Sequence, residues 1–225
     1  MEKFLPVLHQ CALFAGIAEK EIIGLLRCMS AHIQKSVKGQ TILAEGDKAG
    51  RLGVLLAGTA QISRTDYYGN RSIIARLEPG DLFAEAIAYA GIPVMPVSVT
   101  ALEDAAVLLM DAQRFAQPCG KGCGFHQQMI TNLIKVLAAK NLICNQKIEV
   151  TSKRSTREKL LAYLLLQAKQ TGKSTFTIPY NRQELADYLE VDRSGLSNEI
   201  SKLRQEGVLA CTRSTFELLA QQPER

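Results

Sequence analysis

The chain has 225 residues, 47% of them hydrophobic and 22% charged, and a formal net charge of +5. This is an ordinary balance for a globular protein of one large or two modest domains. No segment reaches the roughly 18 uninterrupted apolar residues of a membrane helix, and residues 1–13 do not resemble a signal peptide. We therefore expect a cytoplasmic protein whose six cysteines are mostly reduced.

The first half of the chain is predicted to be helical and then rich in β-strands. Residues 4–30 carry apolar side chains at helical spacing. From about residue 33, short β-rich runs alternate with glycines, and Tyr68-Gly69-Asn70 is typical of a hairpin turn. The predicted strands are residues 40–44, 52–56, 60–65, 72–77, 97–101 and 105–110. Many short strands with regular glycine turns indicate a β-barrel or roll.

A long helix is predicted from residue 125 to about residue 151. One set of residues follows the alternating spacing of four and three that defines a coiled-coil seam: Ile130, Ile134, Leu137, Asn141, Cys144 and Ile148. A second apolar face carries Met129, Leu133, Val136 and Ile143. We expect one face to pack on its own domain and the other to meet a second copy of the chain. The alternative is a single core helix without a partner.

Capping signals divide the C-terminal part into three helices. Ser155 followed by Glu158 forms a capping box, and Gly172 ends the helix that it opens. Asn181 opens the next helix, and Asp192 caps another after a connection of about three residues. Two short helices joined so closely predict a helix-turn-helix.

The outward face of the second of these helices carries residue types that contact DNA. It holds Arg193, Ser194, Ser197, Asn198, Ser201 and Lys202. Arginine can hold guanine, asparagine can pair with adenine, and serine can bond to either. Residues 208–211 and 215–219 predict a hairpin wing whose Arg213 would face a phosphate. Residues 131–160 add seven Lys and Arg against two acids. For the helix that Asp192 caps, the alternative is a polar face that simply faces solvent.

These motifs resemble those of the cyclic-AMP receptor protein and fumarate-nitrate regulator (CRP/FNR) superfamily. The motifs that carry the resemblance are Arg182-Gln183-Glu184-Leu185-Ala186, Val191-Asp192-Arg193-Ser194, Leu196-Ser197, Gly39-Gln40, Glu45-Gly46-Asp47, Gly58 and Gly80-Asp81-Leu82-Phe83-Ala84-Glu85. The resemblance covers nearly the whole chain and implies an α+β fold. Residues 1–124 would form a cyclic-nucleotide-binding-like β-roll (a double-stranded β-helix), residues 125–151 a dimerisation helix, and residues 152–225 a winged helix-turn-helix.

The resemblance also implies a function and a set of DNA contacts. It implies an effector-responsive transcription regulator, not an enzyme, that binds palindromic double-stranded DNA as a homodimer and contacts RNA polymerase if it activates. The DNA-binding residues would be Arg182, Gln183, Arg193, Ser194, Ser197, Asn198, Lys202 and Arg213. Relatives often have arginine at the position of Asn198, so the operator sequence cannot be transferred. Glu190 stands where many helix-turn-helix proteins have glycine, because the turn favours positive φ.

The effector suggested by the resemblance does not fit these residues. Nucleotide binders of the superfamily use a Gly-Glu pair for the ribose and an Arg-Ser or Arg-Thr pair for the cyclic phosphate. Here Ala84 precedes Glu85, and the phosphate positions hold Met95 and Pro96, which cannot neutralise an anion. We therefore expect no cyclic-AMP binding of the usual kind, and either an unidentified apolar or aromatic effector or a filled core. The predicted lining is Phe83, Ala84, Glu85, Ala86, Met95, Pro96, Leu137, Lys140 and Asn141.

A second hypothesis is a redox or metal sensor on the same scaffold. Cys11, Cys28, Cys119 and Cys123 offer four thiolates for an iron–sulfur cluster. Their spacing is unlike that of cluster-bearing relatives, because Cys11 and Cys28 lie 17 residues apart. Haem would need a histidine ligand such as His9, His32 or His126. We accordingly predict no metal and no firm cofactor.

Overall fold

The computed structural model describes residues 2–116 and 124–219. The chain divides into two compact units, Met1–Asn141 and Leu142–Arg225, so the boundary falls inside the long helix that sequence analysis predicts. None of the helices in the described ranges has the length and apolarity needed to cross a bilayer.

The first unit opens with short helical segments rather than with one helix over residues 4–30. They are the 3-10 turn Glu2–Phe4, α1 (Leu5–Gln10), the 3-10 turn Ala12–Phe14 and α2 (Glu19–Cys28). Cys11 and Ala15 take extended backbone, with ψ of 124° and 129°, and Gly16 takes a φ of 75°. The apolar spacing was therefore interpreted correctly as helical, but the helix is interrupted twice.

The β-roll consists of two antiparallel four-stranded sheets. Its strands are β1 (His32–Ser36), β2 (Thr41–Leu43), β3 (Arg51–Ala57), β4 (Ala60–Thr65), β5 (Arg71–Leu77), β6 (Leu82–Phe83), β7 (Ser98–Ala101) and β8 (Ala105–Asp111). The sheet orders are β1-β8-β3-β6 and β2-β7-β4-β5. Two short helices are added, α3 (Glu85–Tyr89) and α4 (Ala112–Ala116). The six predicted strands are present, whereas β1, β6 and both short helices were not predicted.

The long helix α5 (Gly124–Thr151) has the predicted bounds to within one residue. Met129 and Leu133 are buried against the N-terminal helical segments, as expected for its inner face. Ile143 was assigned to the same face, but its side chain is 61% exposed. An unpredicted contact ties the first third of the helix to the N-terminal segments, since the Asn132 amide donates to two carbonyl oxygens, of Leu13 and Ala15, at 3.0 and 2.8 Å.

The second unit has the predicted order of helices and strands. It contains α6 (Thr156–Thr171), β9 (Thr175–Thr177), α7 (Arg182–Leu189), α8 (Arg193–Gln205), β10 (Leu209–Thr212) and β11 (Thr215–Leu218). The three strands form one antiparallel sheet in the order β10-β11-β9. Leu160, Leu185, Leu196, Leu203 and Phe216 form the core beneath it, each at most 1% exposed. The α+β fold class is confirmed.

Candidate nucleic-acid interface

Side-chain caps fix where the two helices of the helix-turn-helix begin. The Asn181 side chain accepts from the Glu184 amide at 3.0 Å, and the Glu184 carboxylate accepts from the Asn181 amide at 2.8 Å. Asp192 accepts from the Gly195 amide at 2.8 Å. These contacts satisfy backbone donors that the first turn of a helix leaves unpaired. Both predicted caps are confirmed.

The turn between α7 and α8 uses a left-handed glutamate. Glu190 takes φ 54° and ψ 55°, the left-handed conformation that glycine adopts most easily. The Val191 amide donates to the Ala186 carbonyl at 3.1 Å, which closes the end of α7. Lys159 Nζ donates to the carbonyls of Leu189 and Glu190 at 3.3 and 3.2 Å. The turn therefore has the expected geometry despite the missing glycine.

Helix α8 separates its apolar and polar residues cleanly. Leu196, Ile200 and Leu203 are buried. The predicted base-reading face is solvent-accessible: Arg193, Ser194, Asn198 and Lys202 are exposed, and Ser197 is half-buried. Lys202 Nζ lies 2.8 Å from the Glu199 carboxylate. Most of this polar face is therefore not needed for the core and is available to a ligand.

The remaining predicted contacts lie on α7 and on the β10–β11 hairpin of the same unit. The Arg182 guanidinium lies over the Phe216 ring at 5.6 Å, and the Gln183 amide donates to Asp187 at 2.7 Å. Arg213 is exposed at the hairpin tip with a φ of 54°. The Ser214 hydroxyl anchors the tip by donating to the Tyr180 carbonyl at 2.9 Å. The predicted wing is present.

Several cations of the basic window at residues 131–160 already contact other groups of the protein. Lys159 caps α7, and Lys147 lies 4.5 Å from the Tyr188 ring centroid, where burial lowers the pKa of its ammonium. Arg157 holds the Glu206 carboxylate in a two-pronged pair that raises the pKa of Arg157. No local spacing signals the Arg157–Glu206 pair, because its members are 49 residues apart. These three cations therefore contribute to the fold of the second unit, which the charge of the window alone does not indicate.

Three tyrosines form a further cluster that sequence reasoning missed. Tyr180 and Tyr188 stack with centroids 5.0 Å apart, and Tyr163 lies 5.3 Å from Tyr188. Burial is the main cause of the raised pKa of Tyr163 and of Tyr188. The cluster joins α6 to α7, so it helps to position the helix-turn-helix.

The predicted effector lining is distributed over different environments of the first unit. Phe83, Ala84 and Met95 are buried in a packed apolar cluster. Leu137 is half-buried against the other cluster, while Ala86, Pro96 and Asn141 are exposed. Phe83 fills the space above Gly53, where an added Cβ would lie 2.2 Å from the ring.

The two charged members of that lining meet directly. Lys140 Nζ lies 2.7 Å from Glu85 Oε1 and also donates to the Leu82 carbonyl. Glu85 is only 3% exposed, and its second oxygen has no hydrogen-bond partner among the described residues. Ala84, which replaces the glycine of the nucleotide binders, takes a left-handed φ of 62°. The position therefore keeps the backbone conformation that glycine adopts most easily.

The cysteines proposed for a cluster are not assembled in the described part. Cys11 is buried, which raises the pKa of its thiol to about 11, and Cys28 is exposed. Cys119 and Cys123 lie outside the described residues. Across residues 2–116 and 124–219, no three His, Cys, Asp or Glu side chains are grouped so as to hold a metal ion.

Comparison with known proteins assigns a known domain family to each of the two units. The cyclic nucleotide-binding domain family matches residues 33–121, and the Crp-like helix-turn-helix domain family matches residues 158–222. The transcriptional activator protein FnrL of Cereibacter sphaeroides is 25% identical over 181 residues, which cover 76% of this chain and 70% of FnrL.

Solved structures share the fold at lower identity. FixK2 from Bradyrhizobium japonicum is 20% identical, with a TM-score of 0.63 over 85% of this chain and 94% of its own. CLP, a c-di-GMP-responsive regulator from Xanthomonas campestris, is 17% identical, with a TM-score of 0.72 over 91% of this chain and 100% of its own. Two family matches in the characteristic order, together covering more than half of the sequence, agree with the motifs and with the fold. The chain therefore belongs to the CRP/FNR family of transcription regulators.

Proposed function

We propose that the protein binds a palindromic DNA site as a homodimer, through α8 and the wing, under the control of an effector other than cyclic AMP. The observation that carries the DNA contact is the exposed polar face of α8 above a buried apolar face. Such a helix places its N-terminal residues against base edges in the major groove. The same proposal locates the protein in the cytoplasm, and includes contact with RNA polymerase if it is an activator.

Replacing Arg193 tests this assignment. Arg193→Ala removes a guanidinium that can hold guanine in two hydrogen bonds, so specific binding should weaken by about 1–3 kcal/mol per half-site. Binding is measured by fluorescence anisotropy on a site selected from random duplexes, at one salt concentration. Arg114→Ala, on the first unit, removes the same charge and should leave specificity unchanged. Unaltered discrimination by Arg193→Ala would contradict the recognition-helix assignment.

Exposed apolar side chains along α5 support the homodimer. Ile134 and Ile148 of the predicted seam are 61% and 62% exposed, and Ile130 is 39% exposed. One row of large apolar residues at coiled-coil spacing is a surface that a second helix of the same sequence would bury. The two-fold axis would then set half-sites about one helical turn, 34–36 Å, apart.

A charge in the seam should separate the two subunits. Ile134→Glu places like charges at facing positions, so sedimentation velocity should show a monomer. Ala139→Glu adds the same charge at an exposed position outside the seam and should remain dimeric. A dimer that survives Ile134→Glu would rule out this seam as the interface.

The residues at the usual phosphate position support an effector other than cyclic AMP. Met95 is buried, and its amide already donates to the Asp47 carbonyl at 2.8 Å. Pro96 has no N–H to offer. An anion placed there without a cation or donor would cost several kcal/mol. Cyclic AMP should therefore leave the melting temperature and DNA affinity unchanged, and a saturable shift in either would overturn this part of the proposal.

A further inference from the structure

The Ser194 hydroxyl, at the second residue of α8, is engaged by the cap of its own helix. Its Oγ donates to Asp192 Oδ2, the same oxygen that accepts from the Gly195 amide at 2.8 Å. An ionised carboxylate can only accept hydrogen bonds, so the single hydroxyl proton must point toward Asp192. The Ser194 hydroxyl and the Gly195 amide lower the pKa of the Asp192 carboxyl, which keeps it ionised at neutral pH.

A hydroxyl whose proton is committed presents only lone pairs to an incoming ligand. Phosphate oxygens, guanine O6 and N7, and thymine O4 are all acceptors, so they offer no proton to Ser194. The major-groove groups that do donate are the exocyclic amino groups, N6 of adenine and N4 of cytosine. We infer that Ser194 reads DNA as a hydrogen-bond acceptor, through the amino group of an adenine or a cytosine.

This inference rests on the proposed function and makes it more specific, because a free serine could either donate or accept. The neighbouring side chains have other hydrogen-bonding capacities. Arg193 can only donate, and Asn198 can do both. Residues 193 and 194 would thus present opposite polarities to adjacent positions in the groove, and Ser194 would specify sequence rather than anchor the backbone.

The test is a double-mutant cycle across the interface. A binding site is first selected from duplexes of random sequence with the full-length protein, and the base pair whose preference is lost in Ser194→Ala is identified. At that pair, the base that carries the amino group is replaced by an analogue with hydrogen in its place. The wild type should lose about 3- to 10-fold in affinity, the range of one net hydrogen bond, while Ser194→Ala should lose none beyond its own defect.

Two further variants separate the acceptor role from a structural one. Ser194→Thr keeps the hydroxyl and should restore sensitivity to the amino group. Asp192→Gly frees the hydroxyl proton, and glycine is itself a favourable residue at a helix N-cap, so the helix should persist. Asp192 is a positioning residue, so this variant should lose the amino-group preference while circular dichroism shows an intact helix.

The outcomes distinguish this inference from the proposed function. If the wild type selects no sequence at all, the proposed function fails. If the wild type selects a site but the amino-group analogue affects wild type and Ser194→Ala equally, the acceptor role is wrong. Sensitivity to loss of N7 or of a carbonyl instead would show that Ser194 donates, which also overturns the inference.

Discussion

The ion pair between Lys140 and Glu85 predicts a large loss of stability when its cation is removed. Glu85 is 3% exposed, and Lys140 Nζ lies 2.7 Å from one of its oxygens. Lys140→Met keeps most of the aliphatic stem but leaves a buried carboxylate without its counter-ion. Breaking a fully buried pair in this way costs about 3–5 kcal/mol. Because 37% of the Lys140 side chain is exposed, solvent screening lowers the expected cost to about 2–4 kcal/mol.

The matched substitution should recover much of that loss. Glu85→Gln with Lys140→Met removes both charges, so the double variant should be more stable than Lys140→Met by at least about 1 kcal/mol. Urea unfolding of the full chain, followed by circular dichroism, measures the free energy of unfolding of each variant. Arg114→Met serves as the control, since its pair with Asp111 is 3.9 Å long and exposed and should contribute at most about 0.5 kcal/mol. A Lys140→Met cost no larger than this control would refute the reasoning.

Three further predictions concern a buried thiol and the wing. Burial raises the pKa of Cys11 to about 11 from 9.0. At pH 8, iodoacetamide should therefore modify the exposed Cys28 well before Cys11, as judged by peptide mass spectrometry. Since the neutral thiol is favoured in the folded state, its contribution to stability should be lost as pH rises from 9 to 11, and alkaline titration checks this. Arg213→Asn keeps a residue that tolerates positive φ but removes the charge. It should weaken binding equally on all sequences and reduce the slope of log K against log salt by about 1.

Local signals were sufficient for the positions of the C-terminal helices. Ser155 with Glu158, and Asn181 with Glu184, form capping boxes in which both partners lie three residues apart. Such contacts are decided within one turn of the chain, so the sequence predicts them without knowledge of the tertiary fold. The same holds for Gly172, which takes the left-handed conformation that ends α6.

Features that depend on distant contacts were not predicted. Strand β6 has two residues, too few to show an alternating pattern, and is defined by pairing with β3. Arg157, a residue of the basic window, links α6 to the end of α8 through its pair with Glu206. The residues predicted to line an effector pocket lie in different environments for the same reason. Their positions in the chain do not show that Ala86 and Pro96 are exposed.

The left-handed turn at Glu190 shows how a missing glycine can be tolerated and how its cost can be measured. A non-glycine residue in this conformation costs about 1–2 kcal/mol. Contacts from Lys159 and Val191 hold the turn in place. Glu190→Gly removes the steric cost but loosens the unfolded chain, so a net gain of about 0.5–1 kcal/mol in unfolding free energy is expected. Glu190→Ala removes the same charge but keeps a Cβ, so it should gain nothing. An equal gain in both variants would mean that the charge, and not the backbone, is the source of the strain.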